Sequence, residues 1–292
     1  MKCFLAAATI AATSLFSSFS HAAFSIFAYS GNTEQFIVPT GVNLINVLVV
    51  GGGGGGGSGH HGGGGSGEVL TASFSVSAGD IFDVFVGQGG TGAETIVGSS
   101  DLIGISAGGD SFFDTLTAAG GGFDDRNNGG HDGGSGGGGA CNAGTLGGAG
   151  GSGGSDGQAC QIGPGPTAIG LGQGDYTASL LLFIDNILSA GAGGAGGTGL
   201  SHSGGGGAGG VLIGGIGPNG QDGVAAGGAE GGSGYGAGGG GGNIDGDPTR
   251  WGGGNGASGL VYVEYTAVPL PAGVWLFLSA FVGLIGVRFK TN

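Results

Sequence analysis

Positively charged residues are scarce in this chain, and most of them lie at its ends. The 292 residues include 5 Lys and Arg against 19 Asp and Glu. Lys2 lies near the start, Arg288 and Lys290 lie near the end, and only Arg126 and Arg250 lie between them. Residues 23–267 therefore combine two basic with 19 acidic residues, which gives a net charge of −17. Such a segment repels phosphate backbones, so nucleic acid is not expected as a partner.

Proline is also rare, with 7 residues, whereas glycine supplies 85. A collagen triple helix is excluded, because it needs proline and a strict Gly-X-Y register that this chain lacks. Disorder is the simplest alternative for so much glycine. The glycine runs, however, contain little of the Ser, Pro, Lys and Glu of flexible linkers, and strand-like runs flank them. We therefore expect the glycine to be part of an ordered domain.

The first 22 residues have the three parts of a secretory signal peptide. Lys2 supplies the positive start, residues 4–19 are apolar, and Ser20-His21-Ala22 is a small-x-small cleavage site. Cys3 precedes the apolar stretch, so it leaves with the signal peptide and does not serve as a lipoprotein cysteine. The sequence thus predicts export.

The last 25 residues have the parts of a second targeting signal. The motif at 268–272 is followed by an uncharged apolar run at 273–287 and by the basic residues Arg288 and Lys290. The run is slightly shorter than the roughly 17–25 residues of a usual spanning helix. Basic residues beyond it place the preceding chain outside the cytoplasm. The motif consists of Val268, Pro269, Leu270, Pro271 and Ala272.

This order of motif, apolar span and basic end resembles the PEP-CTERM family of sorting tails in its VPLPA variant. The resemblance implies transient anchoring of the tail in the inner membrane. An exosortase-like enzyme then cuts the tail, and the protein reaches the cell surface or the extracellular space. The expected partners are the export machinery, that enzyme, the membrane and surface components such as exopolysaccharide. An ordinary retained membrane anchor is the alternative.

Strand-like runs cluster at the two ends of the segment 23–267. The last run is most simply explained by a return to the sheet of the first ones, which makes residues 87–258 one glycine-rich insertion. We therefore predict an all-β protein, with a jelly-roll-like β-sandwich, this insertion and one C-terminal transmembrane helix at 273–287. The predicted strands are 24–29, 35–38, 44–50, 68–76, 81–86 and 259–265.

The glycine runs can be ordered by their own backbones. An extended threefold helix of the polyproline II type points every N–H and C=O outward. Without side chains, several such helices can approach and bond to one another, so a bundle of polyglycine II helices is predicted. The runs occur at 51–57, 62–65, 136–139, 204–207 and 238–242.

Three motifs carry a resemblance over most of the segment 23–267. They are FIVPTGVNLINVLVVGGG at 36–53, AGDIFDVFVGQGG at 78–90 and GLVYVEY at 259–265. They are similar to bacterial glycine-rich domains and, more loosely, to the glycine-rich region of the anaplastic lymphoma kinase family. The resemblance implies a β-sandwich threaded with polyglycine II helices and no catalytic residues.

One segment and one residue pair interrupt the glycine pattern. Residues 175–190 place Leu180, Ile184 and Leu188 on one helical face, which predicts a short helix packed on the domain or bound to a partner or membrane. Cys141 and Cys160 are the only cysteines after Cys3. In an oxidising compartment they are predicted to form a disulfide.

Catalytic motifs arise here from composition. The G-x-G-x-x-G after Val50 is followed by more glycine and two histidines rather than the helix of a dinucleotide site. The G-x-S-x-G frames around Ser135, Ser152 and Ser155 are expected by chance at this glycine content, and they lack the strand-turn-helix context of a nucleophile elbow. We expect no enzyme activity.

Metal sites are only weakly indicated. A glycine-flanked loop collects oxygen ligands that suit Ca²⁺, yet its spacing is not that of an EF-hand, and solvated turn residues are the favoured interpretation. The same loop type recurs at Asp245 and Asp247. His60, His61 and His202 could form a transition-metal site, but adjacent histidines seldom bind one ion, so exposed loop residues are the favoured interpretation. No cofactor is expected. The Ca²⁺ candidates are Asp124, Asp125 and Asp132, with Asn127, Asn128 and His131 beside them.

These observations predict a non-enzymatic, exported protein with a structural or adhesive role at the cell surface or in the extracellular matrix. A receptor-like module that binds a glycan or a protein is the alternative, and ice binding is a more distant one. The aromatic residues Phe123, Tyr235 and Trp251 are the candidates for a contact face, since aromatic side chains dominate contact energetics.

Overall fold

The computed structural model describes residues 22–59, 61–97, 104–125, 129–130, 134, 188–190, 211–213, 232, 234–242 and 249–266. The predicted signal peptide before Ala22, both cysteines of the predicted disulfide and the predicted sorting tail lie outside these ranges. Among the described residues, no helix is long and apolar enough to span a membrane.

The described part of the chain is built from antiparallel strands and contains no helix. Five of the six predicted strands begin within one residue of the observed start. The observed first strand begins at Ala22, two residues before its predicted start at 24. The strands are β1 (Ala22–Ala28), β2 (Glu34–Ile37), β3 (Leu44–Val50), β4 (Val69–Ser75), β5 (Ile81–Phe85), β6 (Ile96–Val97), β7 (Ser111–Phe113), β8 (Leu116–Ala118), β9 (Asp124–Asp125), β10 (Gly129–Gly130), β11 (Leu188–Ala190), β12 (Val211–Ile213), β13 (Thr249–Arg250) and β14 (Leu260–Thr266).

Two four-stranded sheets form the body of the domain. Sheet A has the order β1-β14-β3-β4, and sheet B has the order β2-β5-β7-β8. Leu260 at the start of β14 lies opposite Ala28 on one side and Val50 on the other. The last strand therefore returns to the sheet of the first strand, as predicted, and the structure places it between β1 and β3.

One hydrophobic core lies between the sheets. Alternate residues of β3 and β14 point inward, among them Ile45, Val47 and Val263, and all three are fully buried. Sheet B contributes Phe113, whose ring lies 5.7 Å from that of Phe74 in sheet A between centroids. This face-to-face packing makes the two sheets a sandwich, and the period-two alternation of apolar residues explains why each strand buries one face.

Two sequence predictions differ from the structure. β7 and β8 lie inside the segment 87–258, which was predicted as one insertion, yet both strands belong to sheet B. They have three residues each and are joined by a tight turn with Asp114 at a φ of 52°. Strands of three residues are too short to show the period-two alternation of apolar residues by which a strand is recognised in a sequence. Leu188–Ala190, the end of the predicted helix, is β11 and pairs with β12, and the rest of that helix lies outside the described residues.

Candidate functional site

The glycine run that follows β3 is the centre of a hydrogen-bonded assembly of extended chain. Its backbone N–H groups donate in three directions that repeat every third residue. Gly51, Gly54 and Gly57 donate to the segment 62–68, Gly52 and Gly55 donate to 104–110, and Gly53 and Gly56 donate to 252–259. The N···O distances lie between 2.8 and 3.0 Å.

The carbonyl groups of the same run follow the same rule toward three other segments. Gly53 and Gly56 accept from Gly90 and Ala93 in the segment 87–93. Gly54 and Gly57 accept from the segment 236–242, and Gly52 accepts from the segment 118–122. A period of three residues with bonds radiating from the axis is the geometry that an extended threefold helix allows.

The six outer segments also bond to one another and close a ring. Its order is 62–68, 118–122, 104–110, 87–93, 252–259 and 236–242, with the last returning to the first. Segments that accept from the centre alternate with segments that donate to it. We call the run 51–57 and this ring the glycine bundle. Five of the six outer segments and the centre continue strands of the sandwich, so the bundle extends from one end of it.

Glycine is required at the centre because neighbouring backbones occupy every side. A Cβ on Gly54 would lie 2.0 Å from the carbonyl oxygen of Gly122, and one on Gly55 would lie 1.9 Å from that of Thr91. A Cβ on Gly56 would lie 2.0 Å from the carbonyl oxygen of Gly240. Three consecutive residues thus face three different segments, and no direction is left for a side chain.

At the margins of the bundle, which we call its rim, side-chain oxygens accept hydrogen bonds from backbone N–H groups of the outer segments. The buried hydroxyl of Ser111 accepts from the N–H of Gly87 at 2.8 Å. The amide oxygen of Asn255 accepts from the N–H of Gly92 at 2.7 Å. Buried amides need such partners. The other rim acceptors are Glu68 for Ala119, Thr95 for Gly252, Ser106 for Thr91, Asp110 for Gly120 and Ser258 for Gly89.

The bundle has an exposed side and a buried side. On the exposed side, every third residue from Gln88 onward is exposed. These residues form the row Gln88, Thr91 and Glu94. The segments 62–68 and 236–242 on the other side are buried throughout.

The end of the bundle farthest from the sandwich carries exposed apolar side chains. β6 follows the segment 87–93 and pairs with β13, with Arg250 opposite Ile96. Val97 is 69% exposed, and Trp251, directly after β13, is 37% exposed. The carbonyl of Trp251 accepts from Gly59 at the end of the central run, which fixes the tryptophan backbone at this tip. We call Val97 and Trp251 the distal tip.

The chain matches the glycine-rich domain family over residues 28–266. It belongs to that family. No curated protein matches the chain.

Within this glycine-rich domain, the predicted contact residues do not form one face. Trp251 lies at the distal tip, whereas Tyr235 is half-buried directly before the segment 236–242. Phe123 is half-buried where the segment 118–122 ends. Of the three aromatic candidates, the structure places only Trp251 among the exposed large hydrophobic side chains.

The histidine prediction for this glycine-rich domain is wrong at one position. His61, which joins the central run to the segment 62–68, is expected to be exposed, but only 1% of its surface is accessible. His60 and His202 lie outside the described residues.

The Ca²⁺ candidates of the glycine-rich domain fall partly on described backbone. Asp124 and Asp125 form β9 and pair with Gly130 and Gly129 of β10. Asp132, Asn127, Asn128 and His131 lie outside the described residues. Among the residues that the structure describes, no group of three His, Cys, Asp or Glu side chains is placed to hold a metal ion.

The rim acceptors are not among the predicted site residues, although the sequence carries a local signal for them. Ser106, Asp110, Ser111, Asn255 and Ser258 are polar residues within or beside glycine-rich stretches. The hydrogen-bonding capacity of their side chains is the feature that sets them apart from the glycines.

Proposed function

We propose that this chain is an exported, non-enzymatic structural or adhesive component of the cell surface or extracellular matrix. The observation that carries the proposal is the ring of six segments around residues 51–57. A body held by backbone hydrogen bonds in three directions is a rigid support. Its side chains face the rim and the tip, where they meet other molecules.

The hydrogen-bond pattern also supports a specific identity for the bundle. A period of three, a central segment with six neighbours and overlap of any added Cβ with backbone are the features of polyglycine II packing. We infer that the bundle is of this type. Because such packing needs few side chains, the acidic charge of the chain remains available at the surface to keep the protein soluble.

Delivery to the surface rests on the two ends of the sequence. The signal-like start and the Val268–Ala272 motif with its apolar and basic continuation support export, transient membrane insertion and cutting by an exosortase-like enzyme. Exopolysaccharide and other envelope components are then the molecules that the released domain meets.

Processing can be tested in the native host. We expect intact mass measurement to give a product that ends between Val268 and Ala272, recovered from the surface or the medium. Pro271→Ala should retain the tail and shift the protein to the inner-membrane fraction, whereas Pro218→Ala should be processed normally. A wild-type chain that keeps its tail in the inner membrane would reject the sorting proposal.

A receptor-like glycan- or protein-binding module is the second candidate, and the distal tip favours it. Among the described residues, Trp251 and Val97 present apolar surface at the end of the bundle away from the sandwich. On a glycan array and in pull-downs with surface extracts, saturable binding that Trp251→Ala reduces at least about tenfold would favour this function. Ile37→Ala, an exposed position on the sandwich, is the matched control. Ice binding, the more distant option, predicts thermal hysteresis in solution.

A further inference from the structure

β1, one of the two edge strands of sheet A, lacks the features that usually protect an edge strand from pairing with another chain. β1 has seven residues and pairs with β14 on one side only among the described strands. Edge strands present unpaired N–H and C=O groups and are normally protected by charge, proline, a bulge or shortness. β1 contains neither a charged residue nor proline, and its pairing with β14 runs through all seven residues without a bulge.

The two edges of sheet B are protected in the usual ways. β2 has four residues, begins with Glu34 and is followed closely by Pro39. β8 has three residues. Among these edge strands, β1 and β4 of sheet A are the longest, with seven residues each, and can pair with a further strand over most of that length.

The side chains of β1 alternate between the core and solvent. Phe27 packs against the hydrophobic core. On the opposite face, Phe24 is 53% exposed and Ile26 is 43% exposed. The ring of Phe24 stacks on that of Tyr262 in β14 at 5.5 Å, so the exposed phenylalanine is held in place by the neighbouring strand.

We propose that β1 is a homodimerisation edge, on which the β1 strand of a second copy of this chain pairs antiparallel, with Ser25 opposite Ser25. This register aligns residues 23–27 of the two strands, all of which remain when the predicted signal peptide ends at Ala22. It puts Phe24 of each copy opposite Ile26 of the other, because residues equally far from the centre face one another in an antiparallel pair. Both apolar pairs then lie on the same face and cover each other.

The self-complementary pattern selects β1 rather than β4 as the partner strand. The residues of β4 on the same face of sheet A are Val69, Thr71, Ser73 and Ser75, of which only the first is strongly apolar. Pairing β1 with β4 would place Phe24 and Ile26 beside hydroxyl groups and would also produce an open chain of copies rather than a closed pair. The acidic charge of each copy opposes association, so added salt should strengthen the dimer.

A cysteine at the symmetry point tests both the pairing and its register. Opposed residues of an antiparallel pair have Cα atoms about 4.5–5.5 Å apart, which is within the range that a disulfide spans. We expect Ser25→Cys in the full chain to give a disulfide-linked dimer on a non-reducing gel under mild oxidation. Ser73→Cys on β4 and the wild type, which keeps Cys141 and Cys160, should remain monomeric on the same gel.

A second variant measures the apolar contribution without new covalent chemistry. Ile26→Lys should weaken dimerisation at least about tenfold in sedimentation velocity at constant ionic strength, since it places a charge on the edge. Leu44→Lys, another exposed apolar position on sheet A, should leave it unchanged. The proposal is overturned if the wild type sediments as a monomer at all concentrations, or if Ser73→Cys cross-links as well as Ser25→Cys.

Discussion

At the scale of single residues, the same amino acid has two different functions in this chain. In the glycine bundle, glycine is needed because backbone atoms of other segments stand where a Cβ would be, as at Gly54. In the turn between β4 and β5, Gly79 has open space around it and is needed for its φ of 89°. Steric overlap with fixed backbone costs far more than a strained dihedral, because none of the six neighbours can move without breaking its own bonds.

This difference gives a prediction for two glycine-to-alanine variants. Gly54→Ala should lower the free energy of unfolding by at least about 3 kcal/mol or prevent folding, since it overpacks a site with no room to relax. Gly79→Ala should cost only about 1–2 kcal/mol through its left-handed backbone. Urea denaturation of both variants measures the contrast, and equal losses would contradict the proposed packing of the bundle.

At the scale of elements, the short strand β7 is a part of the sandwich core. Phe113 is fully buried, and its ring lies 5.7 Å from that of Phe74 in sheet A and 6.1 Å from that of Phe36 in sheet B. A strand of three residues thus joins the two sheets through one aromatic side chain. The neighbouring Phe112 points to the other face of sheet B and stacks on Phe85.

The adjacent phenylalanines make a matched test of this assignment. Phe113→Ala should destabilise the protein by about 3–5 kcal/mol, because it removes a large side chain from the core and leaves a cavity. Phe112→Ala, half-exposed and on the outer face, should cost about 1 kcal/mol, chiefly through lost ring stacking. Thermal unfolding followed by circular dichroism compares them. A small effect of Phe113→Ala would mean that β7 is not part of the core.

At the scale of the whole molecule, the ends of the described chain close the fold. β14 lies between β1 and β3, and Val261 and Val263 from it are fully buried in the core. The segment 252–259 just before β14 is also one of the six around the central glycine run. Sandwich and bundle are therefore completed by the same stretch, and folding must wait for a contact between distant parts of the sequence.

Two truncations test this closure. A chain that ends at residue 267 should keep the native circular dichroism spectrum and its resistance to limited proteolysis. A chain that ends at residue 258 should lose both, because it lacks β14 and leaves β1 without its only partner among the described strands. Native-like protease resistance in the shorter chain would show that the bundle folds without the last strand.

The sequence by itself determined the long strands, the all-β class and the glycine-rich family. Runs such as residues 44–50 and 260–266 are rich in β-branched residues, and that local signal does not depend on the rest of the chain. Only the tertiary structure decided which segments surround the glycine run 51–57 and that β7 and β8 belong to sheet B. It also decided that His61 is buried. The physical reason is that glycine has no side chain whose polarity or size would indicate what it packs against. The backbone groups of the glycine run bond to segments distant in sequence, and the local sequence does not identify those segments.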